Sequence, residues 1–466
     1  MDKPILSPRW VQAVTQAKGL LPTESMAEKP LSGLSIDSRS VQPNELFVTI
    51  AGPKFDGYHF IATALEKGCG AILTNREPEF QVTVPVLIVP NTLTAMNQAA
   101  LAWRLAVNPK VVAVTGSSGK STVKQMVAKC LSEKFRVHST QGNLNNHIGL
   151  PLTLLRMPAD CQMLVVELGM NAKGEIAHLA SLAHPDIGII TNVQPAHMER
   201  FASLADIAQA KGELLTALAP DGVGIVPRGS EFFPLFRQLS HCQLLTFGSD
   251  IPNDSDHIGA EEIVMQESGS TMVALYQKRR IALNLRQPGQ HMVSNALAAF
   301  LAVQKAGGSD AECQTGLSSF QPLSGRGEVS TSTHGWQVIN DTYNANPGSM
   351  TAALNQLGAS RPAGRRVAIL GDMLELGEHA QRLHQGLAEP IRTNGIQLLF
   401  TTGPWMQTLH QELTAPSDPV CQHREHCTDW LGQITPFLQP GDRVLVKGSR
   451  GMGMERIVAD IIGQKG

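Results

Sequence analysis

The sequence lacks the cysteine pattern of a zinc site or a disulfide framework, because its seven cysteines contain no CxxC pair and their number is odd. No apolar stretch approaches the ~18 consecutive residues of a membrane span. The formal net charge is -2 and no basic domain stands out, which argues against a nucleic-acid partner. The opening residues, Met1-Asp-Lys-Pro, lack the composition of a secretion signal. These absences predict a cytoplasmic protein with reduced thiols.

One short tract combines two cysteines with two histidines. Cys421 and Cys427 lie near His423 and His426, which raises the possibility of a metal site. The spacing fits no familiar set of ligands. We therefore interpret this tract as a polar surface loop.

The composition describes an ordinary folded protein. Hydrophobic residues make up 42% and charged residues 17% of the chain, which excludes disordered and fibrous classes. A chain of 466 residues is too long for one core, so two or three domains are expected. The many glycines (42) and prolines (28) indicate the tight turns of alternating strands and helices.

The pattern along the chain predicts an α/β protein of three domains. Residues 1–93 read as a small α/β domain, residues 94–320 as a central doubly wound parallel sheet, and residues 321–466 as a Rossmann-like domain. Residues 255–287 differ, because their short alternating pieces predict a small antiparallel insert. Residues 321–327, rich in glycine and proline, predict a hinge. The expected strands lie at 46–50, 71–74, 86–89, 111–114, 163–166, 187–191, 224–226, 336–339, 367–370, 398–401 and 444–446.

A glycine-containing loop predicts the binding of nucleotide phosphates. The segment Thr115-Gly-Ser-Ser-Gly-Lys-Ser121 follows an expected strand and opens an amphipathic helix, as a phosphate-binding loop does. Lys120 would reach the β- and γ-phosphates, and the Ser121 hydroxyl would bind Mg²⁺. The usual loop begins with a further glycine, and Val114 occupies that position. A glycine turn that starts a helix by chance is the alternative interpretation.

Two further residues follow neighbouring strands. Glu167 ends an apolar run and is a candidate Mg²⁺ ligand, although a lone acid in this position is more often a turn residue. His197 follows the next strand, at the edge where open α/β sheets bind ligands, although a structural histidine is an equal alternative. Lys211 reads by default as a solvated helical lysine.

Together these motifs resemble the Mur ligase family. The similar segments are Thr115-Gly-Ser-Ser-Gly-Lys-Ser121, Glu167-Leu-Gly-Met, His197, Ala210-Lys-Gly, Gly325-Arg326 and Asp341-Thr-Tyr-Asn-Ala-Asn-Pro347. The family's loop lacks the first glycine, in agreement with Val114. Tyr343-Asn-Ala-Asn-Pro347 is typical of the branch that adds D-alanyl-D-alanine (D-Ala-D-Ala) to UDP-N-acetylmuramoyl-tripeptide (UDP-MurNAc-tripeptide). The resemblance thus implies a ligase of peptidoglycan synthesis, and so a part in cell shape and division.

The resemblance also implies roles for individual residues. Those implied to bind ATP are Thr115, Gly116, Ser117, Ser118, Gly119, Lys120, Ser121, Thr122, Asn295, Arg326, Asp341, Tyr343, Asn344 and Asn346. Those implied to hold magnesium, as two ions, are Ser121, Glu167, His197 and a carbamylated Lys211. Those implied to act in catalysis are Lys120, Lys211, His197 and Arg326. Those implied to bind the other substrates are Asp37, Ser38, Arg39, Asn143, Asn145, Asn146 and Lys447.

One position departs from the family pattern, and other functions remain as alternatives. The family motif HNxxN stands here as His291-Met-Val-Ser-Asn295, with Met292 in place of an asparagine that contacts adenine. Another Mur-type ligase or a folylpolyglutamate-type ligase would share the central fold, and a phosphate-loop switch protein would share the loop. We expect ATP and Mg²⁺ as cofactors and a monomeric enzyme.

Overall fold

The structure is a computed structural model that describes residues 4–20, 22–52, 55–251, 254–266 and 269–463. Within these residues, the strands form sheets of five, nine and six strands that follow one another along the chain. The α/β fold class is therefore confirmed. Met1-Asp-Lys, on which the expected lack of a secretion signal partly rests, lies outside the described residues.

The first sheet has the strand order β1-β5-β4-β3-β2, with β1 antiparallel to its neighbour and the others parallel. Its elements are α1 (Pro8–Thr15), β1 (Lys18–Leu20), α2 (Glu24–Glu28), β2 (Leu34–Ser35), β3 (Leu46–Val48), α3 (Ile61–Glu66), β4 (Ala71–Thr74) and β5 (Val86–Ile88). Helix α4 (Thr92–Val107) then leads to the second sheet. It ends at Asn108, which adopts the left-handed conformation ahead of Pro109.

The second sheet places the phosphate-loop strand between two parallel neighbours. Its elements are β6 (Lys110–Thr115), α5 (Lys120–Ser132), β7 (Val137–Ser139), α6 (Gly149–Leu155), β8 (Met163–Glu167), α7 (Glu175–Ala183), β9 (Ile187–Ile190), α8 (Leu204–Thr216), β10 (Val223–Pro227), α9 (Phe233–Leu239), β11 (Gln243–Phe247), β12 (His257–Gln266), β13 (Gly269–Tyr276), β14 (Arg279–Leu285), α10 (Gln290–Ala306) and α11 (Asp310–Ser319). The strand order is β14-β13-β12-β11-β10-β9-β6-β8-β7. Strand β6 thus lies between β8, which ends at Glu167, and β9, which leads to His197.

The predicted antiparallel insert is confirmed in its strand direction. Strands β12 to β14 are antiparallel to one another, as expected. They do not form a separate unit, because β12 pairs in parallel with β11 at Thr246 and Phe247. The segment therefore extends the central sheet.

The third sheet has the order β15-β16-β20-β17-β18-β19, and within the described part of this sheet only the β15–β16 pair is antiparallel. Its elements are β15 (Glu328–Thr331), β16 (Gln337–Asp341), α12 (Pro347–Ala359), β17 (Arg366–Gly371), α13 (Ala380–Gln385), α14 (Ala388–Thr393), β18 (Leu398–Thr402), α15 (Pro404–Glu412), β19 (Val420–Arg424), β20 (Arg443–Lys447) and α16 (Glu455–Ile462). The predicted surface loop around Cys421 is wrong, since this residue lies in edge strand β19. In the described part of the chain, no cluster of three or more His, Cys, Asp or Glu side chains could hold a metal ion.

The apolar cores show how the three sheets are joined. One core contains side chains from both the first and second sheets, such as Leu46 and Leu164, together with Trp103 of α4. The third sheet has separate cores on its two faces. We call the parts of the chain that contain the first, second and third sheets the first, central and third units. The first and central units therefore share one core, whereas the third unit has cores of its own. Within the described residues, no helix has the length and hydropathy that a membrane span requires.

Candidate active site

A cleft of about 400 Å³ lies between the second and third sheets. This volume suits a nucleotide or a molecule of similar size. Its walls come from the loops that follow β6, β7, β8, β9 and β16, together with the start of α10. The predicted site residues that line it are Ser117, Ser118, Gly119, Lys120, Ser121, Thr122, Asn143, Asn145, Asn146, Glu167, His197, Asn295, Arg326, Asp341, Tyr343, Asn344, Asn346 and Lys447.

The loop after β6 is shaped by two glycines and by a neighbouring strand. Gly116 has φ +149°, and a Cβ there would lie 1.8 Å from Thr191 Oγ1. Gly119, with φ +78°, caps helix α5, and a Cβ there would meet the Asn295 side chain at 2.8 Å. The Thr191 hydroxyl donates to the Ser118 carbonyl at 2.6 Å. These contacts explain why the backbone needs glycine at both positions. Thr115 and Gly116 belong to the loop but do not line the cleft.

Lys120 is the first residue of α5, where backbone N–H groups and the helix dipole favour an anion. Its ammonium donates to the Gly116 carbonyl at 2.8 Å, so the side chain folds over its own loop. Burial lowers the pKa of Lys120, the charge of Glu167 opposes this shift, and Arg326 adds to it. The loop, the helix end and the lysine together form a site for phosphate groups.

Glu167 connects the phosphate loop with the asparagine-rich loop that follows β7. Its Oε2 accepts a hydrogen bond from the Ser121 hydroxyl at 2.6 Å, and its Oε1 accepts one from Asn145 Nδ2 at 2.8 Å. The carboxylate is 3% exposed. Carboxylate and hydroxyl oxygens are ligands that Mg²⁺ prefers, so Glu167 and Ser121 fit a magnesium ion.

Arg326 brings a positive charge from the segment that leads into the third sheet. Its Nη2 donates to Ser121 Oγ at 3.0 Å, and its guanidinium carbon lies 3.8 Å from the centre of the Tyr343 ring. The arginine therefore contacts both walls of the cleft. A charge in this position can neutralise phosphate oxygens.

The third sheet contributes an ion pair between a buried lysine and a half-buried aspartate. Lys447 Nζ lies 2.6 Å from Asp341 Oδ2 and donates to the Asn344 carbonyl at 3.0 Å. Asn346 caps helix α12, since its Oδ1 accepts from the Ser349 N–H at 2.8 Å. The contacts of Lys447 and the Asn346 cap thus fix the conformation of residues 341–346.

His197 lies in the cleft but its partner is in the third unit. Its Nδ1 lies 2.5 Å from Glu375 Oε2. Burial lowers the pKa of His197, and Lys120 and Lys211 add to this effect while Glu375 opposes it. The structure therefore pairs the predicted metal ligand with a carboxylate from another part of the chain.

Lys211 is not the solvated lysine that the sequence suggests by default. It is 2% exposed on the apolar face of α8, near Ile207 and Leu214. Burial lowers its pKa well below the usual value, and the charge of Lys120 adds to the shift. The sequence did contain a signal, because Lys211 continues the helical spacing of the apolar residues around it.

Three predicted substrate residues lie away from the cleft. Arg39 pairs with Asp37 at 2.7 Å, and this contact holds the pKa of Asp37 at about 2. Ser38, between them, is buried. Asp37, Ser38 and Arg39 follow β2 of the first sheet, so the structure does not bring them together with the phosphate loop.

The cleft also contains residues that sequence reasoning did not single out. Gln194 contacts the phosphate loop, since its Oε1 accepts from the Ser118 hydroxyl at 3.1 Å. Gln287 donates to the carbonyls of Arg326 and Gly327 at 2.9 and 3.2 Å. Neither belongs to a local motif, so only their tertiary position identifies them. Met292, the departure from the family pattern, lines the cleft and is 3% exposed within an apolar core.

Comparison with known protein families matches nearly the whole chain. The profile described as "Mur ligase family, catalytic domain" matches residues 30–113. The "Mur ligase middle domain" matches residues 114–303, and the "Mur ligase, glutamate ligase domain" matches residues 325–450. Together these segments contain every residue of the cleft discussed above.

Individual relatives agree with this assignment. A UDP-N-acetylmuramoyl-tripeptide--D-alanyl-D-alanine ligase of Bacillus subtilis is 35% identical over 448 residues, 96% of each chain. The ligase of the same name from Escherichia coli is 34% identical over 434 residues, covering 93% of this chain and 94% of the relative. A solved UDP-N-acetylmuramoylalanyl-D-glutamyl-2,6-diaminopimelate--D-alanyl-D-alanyl ligase from Acinetobacter baumannii is 27% identical, with a TM-score of 0.85 and 99% coverage of both chains. The chain belongs to the Mur ligase family.

Proposed function

We propose that the chain is an ATP-dependent ligase that adds D-Ala-D-Ala to UDP-MurNAc-tripeptide. The proposal is carried by one arrangement, in which the loop 115–121 and Glu167 face Arg326 and the ion pair of Asp341 and Lys447 across one cleft. The names of the two bacterial relatives support the identity of the substrates. The product would be UDP-MurNAc-pentapeptide, a precursor of peptidoglycan.

The proposed reaction joins a carboxylate and an amine, and a carboxylate is a poor electrophile. Transfer of the γ-phosphoryl group of ATP to the tripeptide carboxylate makes an acyl phosphate and releases ADP. The amine of D-Ala-D-Ala attacks the acyl carbon, loses a proton and displaces phosphate. This chemistry requires positioning and charge neutralisation more than a nucleophilic side chain.

The residues of the cleft divide this work between its two walls. Lys120 and the start of α5 hold phosphate oxygens from the central sheet. Arg326 approaches from the opposite wall, where it stacks on Tyr343, and donates to Ser121 of the phosphate loop. The two cations neutralise the repulsion between ATP and the substrate carboxylate. Closure of the third unit over the cleft would exclude water, which would otherwise hydrolyse the acyl phosphate.

Magnesium fits the oxygen ligands on the wall of the cleft that the central sheet forms, which we call the central wall. Ser121 and Glu167 would hold one ion, and the family resemblance adds His197 and a carbamylated Lys211 for a second. Bound magnesium would neutralise phosphate charge during transfer. The chain's own contribution is to orient the Glu167 carboxylate through its hydrogen bonds with Ser121 and Asn145.

Lys211 suits carbamylation because its buried amine favours the neutral form. A neutral amine attacks carbon dioxide, forms an N–C bond and releases a proton, which leaves a carbamate anion. This anion would lie in the positive field of Lys120, whose charge already acts on Lys211. Carbamylation would thus replace an unfavourable buried cation with a group that attracts metal ions.

The experiment that tests the proposal is incubation with ATP, Mg²⁺, D-Ala-D-Ala and UDP-MurNAc-tripeptide, followed by mass spectrometry of the product. Two tripeptides, with diaminopimelate or lysine in the third position, are compared. We expect a pentapeptide product from at least one, and no turnover by the Lys120→Ala variant. Failure with both tripeptides, or normal turnover by Lys120→Ala, contradicts the proposal. Glutamate with a folate acceptor tests the alternative ligase.

We also propose that the enzyme acts as a monomer in the cytoplasm, where ATP and UDP-linked precursors are available. Sedimentation equilibrium measures the mass of the particle. A mass near 50.1 kDa at micromolar concentration is expected. A particle of twice that mass contradicts the monomer.

A further inference from the structure

Lys124 is a buried lysine that the proposed reaction does not use. It lies one turn after Lys120 on α5 and is 1% exposed. Its ammonium donates to the Thr140 carbonyl at 2.5 Å. Burying an ammonium is costly, and an apolar side chain of similar length would be cheaper at this position. The cost suggests that the ammonium has a task.

Thr140 transmits this contact to Glu167. It is fully buried, and its hydroxyl accepts a hydrogen bond from the Glu167 N–H at 3.1 Å. Its own N–H donates to the Val165 carbonyl at 3.1 Å. Thr140 is therefore held by Lys124 through its carbonyl and in turn holds the end of β8 through its hydroxyl.

Thr140 is also the residue from which the asparagine-rich loop begins. Residues 141–148 follow it and return to the end of β8 at Asn145. The side-chain amide of Asn145 donates to Glu167. The main-chain carbonyl of Asn145 accepts from the Gly169 N–H at 2.8 Å. A Cβ on Gly169 would lie 3.0 Å from the Asn145 side chain, so the contact is close. The loop is thus fixed at Thr140 and at Asn145.

We propose that Lys124 is a positioning residue that couples the phosphate-binding helix to the loop 141–148. Through Thr140, it sets the conformation in which Asn143, Asn145 and Asn146 face the cleft. The identity of the ligand that this loop meets, the UDP-linked tripeptide, rests on the proposed function. The coupling itself does not, because it follows from contacts within the protein.

A buried lysine with a purely structural task predicts something different. Its replacement by methionine would change stability, while the loop 141–148 and substrate affinity would stay as they are in any folded variant. A positioning task predicts instead that the loop 141–148 becomes more mobile and that substrate affinity falls in a folded variant. Lys124→Met then leaves a folded protein, because methionine fills the space without a charge, but releases Thr140 and the loop.

The test compares Lys124→Met with Lys129→Met in the full chain. Lys129 lies on the same helix, is partly exposed and pairs with Glu133 at 3.1 Å, so it controls for the loss of a lysine from α5. Amide hydrogen exchange is measured in peptides that cover 141–148, without ligands. Calorimetry then measures the affinity for UDP-MurNAc-tripeptide and for ADP.

For Lys124→Met, we expect exchange in 141–148 to be at least tenfold faster and the tripeptide affinity at least tenfold weaker. The affinity for ADP is expected to stay within threefold, and Lys129→Met is expected to match the wild type. A folded Lys124→Met protein with exchange and tripeptide affinity within twofold of the wild type overturns the proposal. If the wild type does not bind the tripeptide, the proposed function fails while the exchange measurement still decides the coupling.

A second variant decides the matter if Lys124→Met does not fold. Thr140→Val keeps the carbonyl that Lys124 uses and removes only the acceptor for the Glu167 N–H. The same acceleration of exchange in 141–148 is expected. Unchanged exchange in folded Thr140→Val overturns the proposal equally.

Discussion

His197 Nδ1 lies 2.5 Å from Glu375 Oε2, and this contact joins the central unit to the third unit across the mouth of the cleft. Both residues have positive φ angles, 56° and 64°. Such backbone conformations cost about 1–2 kcal/mol for residues with a side chain. Met198, next to His197, packs against a core of the third unit. The strained pair is therefore stabilised by apolar packing beside it.

The first prediction concerns competition between Glu375 and Mg²⁺ for the imidazole of His197. Glu375→Ala frees the imidazole that the family resemblance assigns to magnesium. Because Glu375 is 58% exposed, the contact is worth at most about 1 kcal/mol, so the Mg²⁺ concentration for half-maximal activity is expected to fall by up to about fivefold. Titration of activity with Mg²⁺ measures this change. Glu378→Ala, at a nearby exposed acid, is the control, and a rise in the Mg²⁺ requirement of Glu375→Ala would show that the pair assists closure instead.

The second prediction concerns the modification of Lys211. Lys211→Ala removes the group that would carry the carbamate and leaves space in its place. Activity is expected to fall at least 100-fold and to recover in part when a short carboxylic acid is added, because the acid supplies the missing anion. Steady-state rates with and without the acid measure this. Full activity without any acid would show that Lys211 has no part in the reaction.

The third prediction concerns the effect of Lys211 on stability. Its folded pKa lies well below 10.5, so below pH 10.5 the unfolded chain binds more protons than the folded one. Wild-type stability therefore rises as pH increases from the folded pKa towards 10.5. Lys211→Met removes this dependence, so the variant is expected to melt at a higher temperature than the wild type at pH 7.

The difference in melting temperature should narrow as the pH approaches 10. Thermal unfolding in buffer free of carbon dioxide measures it, since carbamylation would otherwise change the wild type. Lys173→Met, at an exposed lysine, controls for the loss of charge. An inactive but more stable Lys211→Met protein is the expected combination, and a less stable one would contradict it.

The fourth prediction concerns the backbone of the predicted hinge. Gln287→Leu leaves the carbonyls of Arg326 and Gly327 without their donor, at a cost of about 1–3 kcal/mol. Because Arg326 contacts Ser121, the KM for ATP is expected to rise by about tenfold. Kinetic assays measure it, with Gln314→Leu as control, since the Gln314 amide bonds to Ala282 outside the cleft.

A double-mutant cycle separates positioning from a general loss of stability. In an Arg326→Ala background, Gln287→Leu is expected to leave the KM for ATP unchanged, because its effect acts through the arginine. An equal rise in both backgrounds would place the role of Gln287 elsewhere.

Local sequence signals predicted the central wall of the site well. The strand, glycine turn and helix around Lys120 are consecutive in the chain, so their pattern contains the geometry. The position of Glu167 could also be predicted from the sequence, because β8 pairs directly with β6 and parallel strands end at the same edge. The fold class followed from the same alternation of strands and helices.

Contacts between distant segments could not be predicted in this way. The pairing of His197 with Glu375 depends on how the third unit packs against the second, which no local pattern specifies. The attachment of β12 to β11 likewise depends on a sheet edge that forms only in the folded protein. Lys211 is intermediate, since its helix was apparent but its burial depended on the strands beneath it.

The scattered cysteines, which first excluded a disulfide framework, offer a means of observing motion. Among the described residues that line the cleft, none is a cysteine, so thiol reagents would not block it directly. Cys242 and Cys421 are the half-buried thiols, whereas the other five are buried. One lies in each of the two units that face each other across the cleft. Burial raises the pKa of Cys421 to about 11, which slows its reaction with thiol reagents, and a fluorophore could be attached to each of the two thiols. The protein thus contains its own pair of positions for recording the approach of its domains by energy transfer.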